Sequence, residues 1–239
     1  MAKKNIFIVG LDEFNLKELQ GLDIAENLNF HALGNYHETQ KKGEKEDIEY
    51  ILENARGILD NFEGSIDGII GYYDFPITLI TFLLCEEYNL PGPSFLSGLQ
   101  CEHKYWSRLE QHKVIPEQVP DFADVNPFNT SSIEDINLNI PFWLKPVKAY
   151  SSQLGFKISG QKDLDHALEQ IREQIGQFAQ PFNLMLQETE LPDEIKPVDG
   201  FHCIAEEMIA GAQCTVSGYV YDHKVATYGI VDSINYQEK

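Results

Sequence analysis

Lys145 lies inside the apolar, strand-like segment Phe142 to Val147, where an ammonium is costly unless an anion meets it. The chain continues as Lys148-Ala-Tyr-Ser-Ser-Gln-Leu-Gly155, adding a second ammonium, the hydroxyls of Ser151 and Ser152, and successive backbone N–H groups. Donors of these three kinds on one short loop are what covering phosphate oxygens requires. An edge strand protected from pairing by a charge explains Lys145 alone equally simply. Further along, Ile204-Ala-Glu-Glu-Met-Ile-Ala-Gly211 ends an apolar run in two adjacent carboxylates. Strand alternation sends Glu206 and Glu207 to opposite faces, so one of them points inward. A strand end there offers a carbonyl and an N–H beside apolar Met208 and Ile209, which suits a flat adenine-like ring. Two solvated carboxylates at a turn are the alternative.

Charge singles out the same region. Lys plus Arg is 18 against 38 Asp plus Glu, a net charge of −20 over 239 residues. Residues 1–99 carry 7 basic and 17 acidic groups and residues 163–239 carry 4 and 14, whereas residues 100–162 carry 7 and 7. Lys104, Arg108, Lys113, Lys145, Lys148, Lys157 and Lys162 make up that balanced band, where a small anion would bind. The overall balance argues against nucleic acid and against an anionic membrane surface as partners. The longest apolar run, Phe75 to Cys85, has 11 residues, too few for a bilayer span of about 20. Lys3, Lys4 and the short run after them lack a cleavage site, so export is not expected. Four cysteines without C-x-x-C spacing point to reduced thiols and a cytoplasmic location.

Several chemistries are disfavoured. There is no G-x-x-x-x-G-K-[ST], no G-x-G-x-x-G after the first strand, no H-E-x-x-H and no G-x-S-x-G. Ser159 to Lys162 matches S-x-x-K by spacing only, and the seven histidines show no metal-ligand spacing.

The elements that position these residues follow from periodicity. Ile6 to Val9, ending at Gly10 and followed by Leu11, Phe14, Leu16, Leu19 and Leu22, predicts a strand leading into a helix. Asn29 to Leu33 predicts a second strand, and Asp47 to Phe62 a helix with Ile48, Ile51, Leu52, Ala55 and Leu59 on one face. Ile66 to Tyr72 is a third strand, and Pro76 suits the first turn of a helix through Tyr88. This alternation implies an open parallel α/β domain over residues 1–97, closed by Leu90-Pro-Gly-Pro-Ser94 and Ser97-Gly98. Residues 98–140 read as a basic helix from about Glu102 to His112 and a proline-rich connection with a short strand at Gln118-Val119.

Residues 141–205 read as strands Phe142 to Val147 and Leu154 to Ile158, then a helix capped by Asp163 with Leu164, Leu168, Ile171, Ile175 and Phe178 as its stripe. A strand at Asn183 to Glu188 follows. From His202, three apolar runs separated by Gly211-Ala212 and Asp222-His223 predict an antiparallel meander, and 206–239 begins another subdomain.

Taken in order, these features resemble the ATP-grasp superfamily: an α/β domain, Lys104 within Cys-Glu-His-Lys-Tyr-Trp, Lys145-Pro146 with the loop to Gly155, and Glu206-Glu207-Met208-Ile209-Ala210-Gly211. The resemblance implies a pre-ATP-grasp α/β domain followed by an incomplete α+β ATP-grasp domain with antiparallel strands. It implies ATP as cofactor, with Lys104 and Lys145 on the α and β phosphates and Ser151 and Ser152 in the loop closing over the β and γ phosphates. Glu206 would begin the adenine linker, the Glu207 carbonyl and the Ile209 N–H would meet the adenine edge, and Met208 would lie against the ring. Ala149 and Tyr150 stand where glycines are usual, and Gln213 where an acidic residue often contacts ribose.

The implied activity is that of a carboxylate-amine ligase: a carboxylate is activated as an acylphosphate, which an amine attacks. Its partners would be a small-molecule carboxylate and an amine, with a homodimer possible. The catalytic residues are not assigned. Mg²⁺ is expected for a full-length family member, with its ligands beyond the hairpin and thus absent from this chain, which is expected to be an inactive truncated form. The alternative is a non-catalytic nucleotide-binding or interaction module.

Overall fold

The computed structural model describes residues 2–35, 45–150 and 152–232. Ser151, residues 36–44 and the end of the chain from 233 lie outside the described residues. The chain forms two compact units, residues 1–207 and 208–239.

The first unit opens with strand β1 (Lys4–Leu11), helix α1 (Glu13–Gln20), strand β2 (Leu28–Asn35), helix α2 (Lys45–Asp60) and strand β3 (Gly68–Ile70). The strands form a parallel sheet in the order β2-β1-β3, with Ile8 opposite Ala32 on one side and Ile70 on the other. Phe7, Ile8 and Val9 are buried on both faces of the middle strand, as an apolar run without alternation requires. The stripe of Ile48, Ile51, Leu52, Ala55 and Leu59 is buried against this sheet. Helix α3 (Ile77–Glu87) starts after Pro76, and helix α4 (Phe95–Glu102) is capped by the Ser94 hydroxyl. Ser97 and Gly98 therefore sit inside a helix and do not break the chain. Gly98 is needed there because an added Cβ would meet Phe82 and Leu79 at 2.6 and 2.8 Å.

A single residue, His103, separates α4 from helix α5 (Lys104–Val114), so the expected basic helix is the second of two. Strand β4 (Phe122–Val125) replaces the strand expected at Gln118-Val119, where Pro116 begins a 3-10 turn instead. Strands β5 (Phe142–Pro146) and β6 (Phe156–Ile158), helices α6 (Gln161–Gln174) and α7 (Gly176–Gln187), and strand β7 (Cys203–Glu207) complete the unit. Asp163 does not cap α6. It lies within the first turn and accepts a hydrogen bond from the Ser159 N–H at 2.9 Å, while Gly160 takes the cap position.

The strand expected at Asn183 to Glu188 is helix. Leu184, Met185 and Leu186 read as a strand because three consecutive apolar residues carry no helical period. They are all buried because α7 lies between two cores: Ala179 packs with β5 and α6, whereas Phe182, Leu184, Met185 and Leu186 pack with the parallel sheet's helices.

The second sheet has the order β4-β7-β5-β6, antiparallel throughout. Lys145 is thus on an interior strand, between β7 and β6, and an edge-strand explanation of its charge does not hold. One face of this sheet presents Phe142, Leu144, Cys203 and Ala205 to α6. The other carries Lys145, Ile204 and Glu206 toward α5, through Arg108.

The second unit is a hairpin of β8 (Cys214–Tyr221) and β9 (Lys224–Asp232). Asp222 and His223 both have positive φ, 47° and 59°, as the two-residue turn of a twisted hairpin requires. The expected meander is corrected here: β7 pairs with β4 and β5, and only β8 and β9 pair with each other. The whole is a mixed α/β fold with one parallel and two antiparallel sheets. No helix among the described residues is long and apolar enough to cross a membrane.

Candidate functional site

Lys145 and Lys104 come from different elements but to one place. Pairing of β5 with β7 sets Lys145 opposite Ile204, on the face shared with Glu206. The Lys145 ammonium is ion-paired with the Glu206 carboxylate. Lys104 is the first residue of α5, and its backbone N–H bonds the Val147 carbonyl at 2.9 Å, which ties the helix start to the end of β5. From there its Nζ donates to the Ala149 carbonyl at 2.6 Å. His103 makes this placement rigid: its Nδ1 accepts from the Trp106 N–H at 3.2 Å as the helix cap, and its Nε2 donates to the Val198 carbonyl at 2.8 Å.

Burial first, and then the ammoniums of Lys148 and Lys145, lower the pKa of Lys104 to about 8, against the weaker opposing pull of Glu102 and Glu206. Glu206 shows the converse balance. Its side chain is only 6% exposed, and burial alone would raise its pKa, but Lys145 and then Arg108 outweigh that and hold it below the ordinary carboxylate range. Arg108 Nε reaches Glu206 Oε1 at 2.6 Å. Lys148 is buried, paired with Glu102, and its Nζ lies 4.5 Å from the centre of the Phe75 ring.

Four cations, Lys104, Arg108, Lys145 and Lys148, thus gather with two carboxylates, Glu102 and Glu206, a formal surplus of two positive charges in a chain of net −20. A surplus held partly out of water favours an anion bearing several charges, which is the fit a polyphosphate needs. Each of these cations has a partner within the protein, Glu206 for Arg108 and Lys145, Glu102 for Lys148 and the Ala149 carbonyl for Lys104. No three His, Cys, Asp or Glu side chains among the described residues converge as a metal site would require.

The expected loop leaves this cluster from Lys148. Ser152 and Leu154 have positive φ, 56° and 55°, and the Gln153 N–H bonds the Tyr150 carbonyl at 3.1 Å, so the loop turns tightly without glycine at its tip. Ser152 is exposed; Ser151 lies outside the described residues. Tyr150, in a position where glycine was the usual residue, packs edge-on to Phe178 with ring centres 5.3 Å apart. Glu206 is the inward member of its carboxylate pair, and Glu207 is exposed, its N–H bonded to the Asp121 carbonyl at 2.9 Å. Met208, Ile209 and Gln213 belong to the second unit.

The sequence reading placed Arg108 in the basic band but gave it no role, and overlooked Glu102 and His103. Arg108 follows Lys104 by four residues on a helix, hence on one face, and that spacing was the available signal.

No family model matches the chain, and no curated protein matches it in sequence. Solved structures match it in fold. L-amino acid ligase from Bacillus licheniformis superposes with a TM-score of 0.62 over 100% of this chain at 17% identity. D-alanyl-alanine synthetase A from Vibrio cholerae O1 biovar eltor gives 0.60 over 99% at 12%. D-alanine–D-alanine ligase from Bacillus anthracis, complexed with ATP, gives 0.55 over 100% at 11%. The chain spans 52% of the first of these chains and 70% and 73% of the other two. The chain shares the mixed α/β fold of these three structures.

Proposed function

We propose that this chain is the nucleotide-binding part of an ATP-dependent ligase that activates a carboxylate as an acylphosphate for attack by an amine. The observation that carries the reading is the convergence of Lys104 and Lys145, one from a helix start and one from an interior strand, in a cluster with surplus positive charge. The shared fold supports it, since the similar structures are ligases of amino acids and one is complexed with ATP.

On this reading Lys104 and Lys145 hold polyphosphate oxygens and the Lys148 to Gly155 loop, with Ser151 and Ser152, covers them. The linker beginning at Glu206 supplies the Glu207 carbonyl and Ile209 N–H to adenine with Met208 against its ring, and Gln213 bonds a ribose hydroxyl. The γ-phosphoryl group passes to a substrate carboxylate oxygen as its bond to the β-phosphate oxygen breaks and ADP leaves. The amine then attacks the acyl carbon, inorganic phosphate departs, and the amine loses a proton. Ammonium groups held on the α and β phosphates stabilise the charge that develops on the departing ADP oxygens. Mg²⁺, when bound with the nucleotide, supplies further charge neutralisation; no ligand for it is assigned in this chain.

Calorimetric titration with Mg·ATP tests the reading. Saturable binding by the folded chain that Lys104→Ala or Lys145→Ala weakens is the expected result. No binding by the folded chain contradicts it, and a hydroxamate formed when this chain alone is incubated with Mg·ATP, pooled amino acids and hydroxylamine would contradict the expectation that it is inactive by itself.

A further inference from the structure

We infer that Arg108 is a positioning residue for the polyphosphate site: it retains the Glu206 carboxylate and so frees Lys145 to turn to a phosphate oxygen. The inference rests on the nucleotide-binding reading above.

The two oxygens of Glu206 have different partners, Arg108 Nε on Oε1 and the Lys145 ammonium on Oε2. A carboxylate this buried is unfavourable without a cation, so whatever draws Lys145 away leaves a cost that another cation must cover. Arg108 is built to stay. It projects from α5, its Nη1 is held by Gln111 Oε1 at 2.7 Å, and Gln111 is held in turn by the Ser107 hydroxyl at 3.0 Å. The guanidinium is planar and presents its donors in a fixed fork, whereas the Lys145 ammonium, on a flexible stem and 32% exposed, can change partners. Lys104 stands in the same relation to the Ala149 carbonyl, a neutral oxygen that a phosphate oxygen replaces without leaving a charge behind. Of the two lysines that hold phosphate on this reading, Lys145 is the one whose exchange strands a buried carboxylate, and among the described residues only Glu206 has a second cation in contact.

Without Arg108, Glu206 would hold Lys145 as its sole counter-ion, and anion affinity would fall by more than the loss of one positive charge from the cluster explains. The test is a double-mutant cycle read by calorimetric titration with Mg·ATP and, separately, with inorganic tripolyphosphate. Arg108→Gln is expected to weaken both ligands about tenfold or more, and adding Glu206→Gln to it to restore affinity to within about threefold of the wild type. Arg108→Lys should fall between. An Arg108→Gln affinity equal to wild type, or a double variant as weak as Arg108→Gln, overturns the inference. A folded wild type that binds neither ligand overturns the nucleotide reading itself. If Arg108→Gln fails to fold, Arg108→Lys with and without Glu206→Gln makes the same comparison.

Discussion

The Lys104 ammonium and the Ala149 carbonyl, 45 residues apart in the chain, are joined by a 2.6 Å hydrogen bond that ties a helix start to the loop after β5. The same ammonium is buried beside Lys145 and Lys148, which is why it gives up its proton at about pH 8 and not near 10.5. On the proposed reading, this lysine is the point at which anion binding and proton binding meet.

Polyphosphate favours the charged form of Lys104, so binding raises its pKa. Titration with ATP at pH 8 in buffers of different ionisation enthalpy should therefore show net proton uptake, which Lys104→Arg abolishes. In the free protein the sign for stability is the reverse of a salt-bridged lysine's. Between about pH 8 and 10.5 the unfolded chain holds the extra proton, so this residue makes stability rise with pH across that window. Equal proton uptake by wild type and Lys104→Arg would refute the assignment.

Lys148 and Glu102 are a buried ion pair, with side chains 4% and 14% exposed. Lys148→Met leaves Glu102 without its cation and should cost about 3 kcal/mol in urea unfolding. Lys148→Met with Glu102→Gln should recover most of that loss, because the penalty is the stranded carboxylate. A double variant as unstable as the single one would show that packing against Phe75 is what matters.

His103 is buried and neutral, and desolvation lowers its pKa from 6.5 to about 4 despite its bonds to Val198 and to its own helix. As the pH falls from 6.5 to 4 the unfolded chain takes up a proton that the native chain refuses. Stability is lost over that window by about 3 kcal/mol. Asn accepts the helix-cap hydrogen bond without titrating, so His103→Asn should flatten the acid limb of the stability profile. An unchanged slope would mean that other groups control acid unfolding.

Gly200 lies within the Asp199–His202 turn that leads into β7, and an added Cβ would lie 2.9 and 3.0 Å from backbone atoms of Ala179. Backbone cannot move aside as a side chain can. Gly200→Ala should destabilise by about 1–3 kcal/mol, measured as a lower urea midpoint at constant slope.

Much of the first half of the fold was legible because its period was clean. The stripe from Ile48 to Leu59 and the run Phe7 to Val9 each admit one placement against a parallel sheet. What failed was burial from two sides: Leu184-Met185-Leu186 is apolar throughout because α7 separates two cores, and such a run has no period to read. Pairing order was also out of reach. Nothing local in Cys203 to Glu207 says that this strand pairs with β4 and β5 and not with the following run. Lys145 was legible as a misplaced charge, and the pair Glu206-Glu207 as having one inward member, though not which of the two. Arg108 was not, since its role depends on a carboxylate 98 residues away.

The central claim is that Lys104 and Lys145 hold one polyphosphate. Calorimetric titration with Mg·ATP of the wild type, Lys104→Ala and Lys145→Ala, each shown folded by its melting transition, tests it most directly. The account predicts that each substitution weakens binding by about ten- to a hundredfold, the worth of a charged hydrogen-bonded contact. Affinity unchanged in either variant, or no binding by the folded wild type, would contradict it.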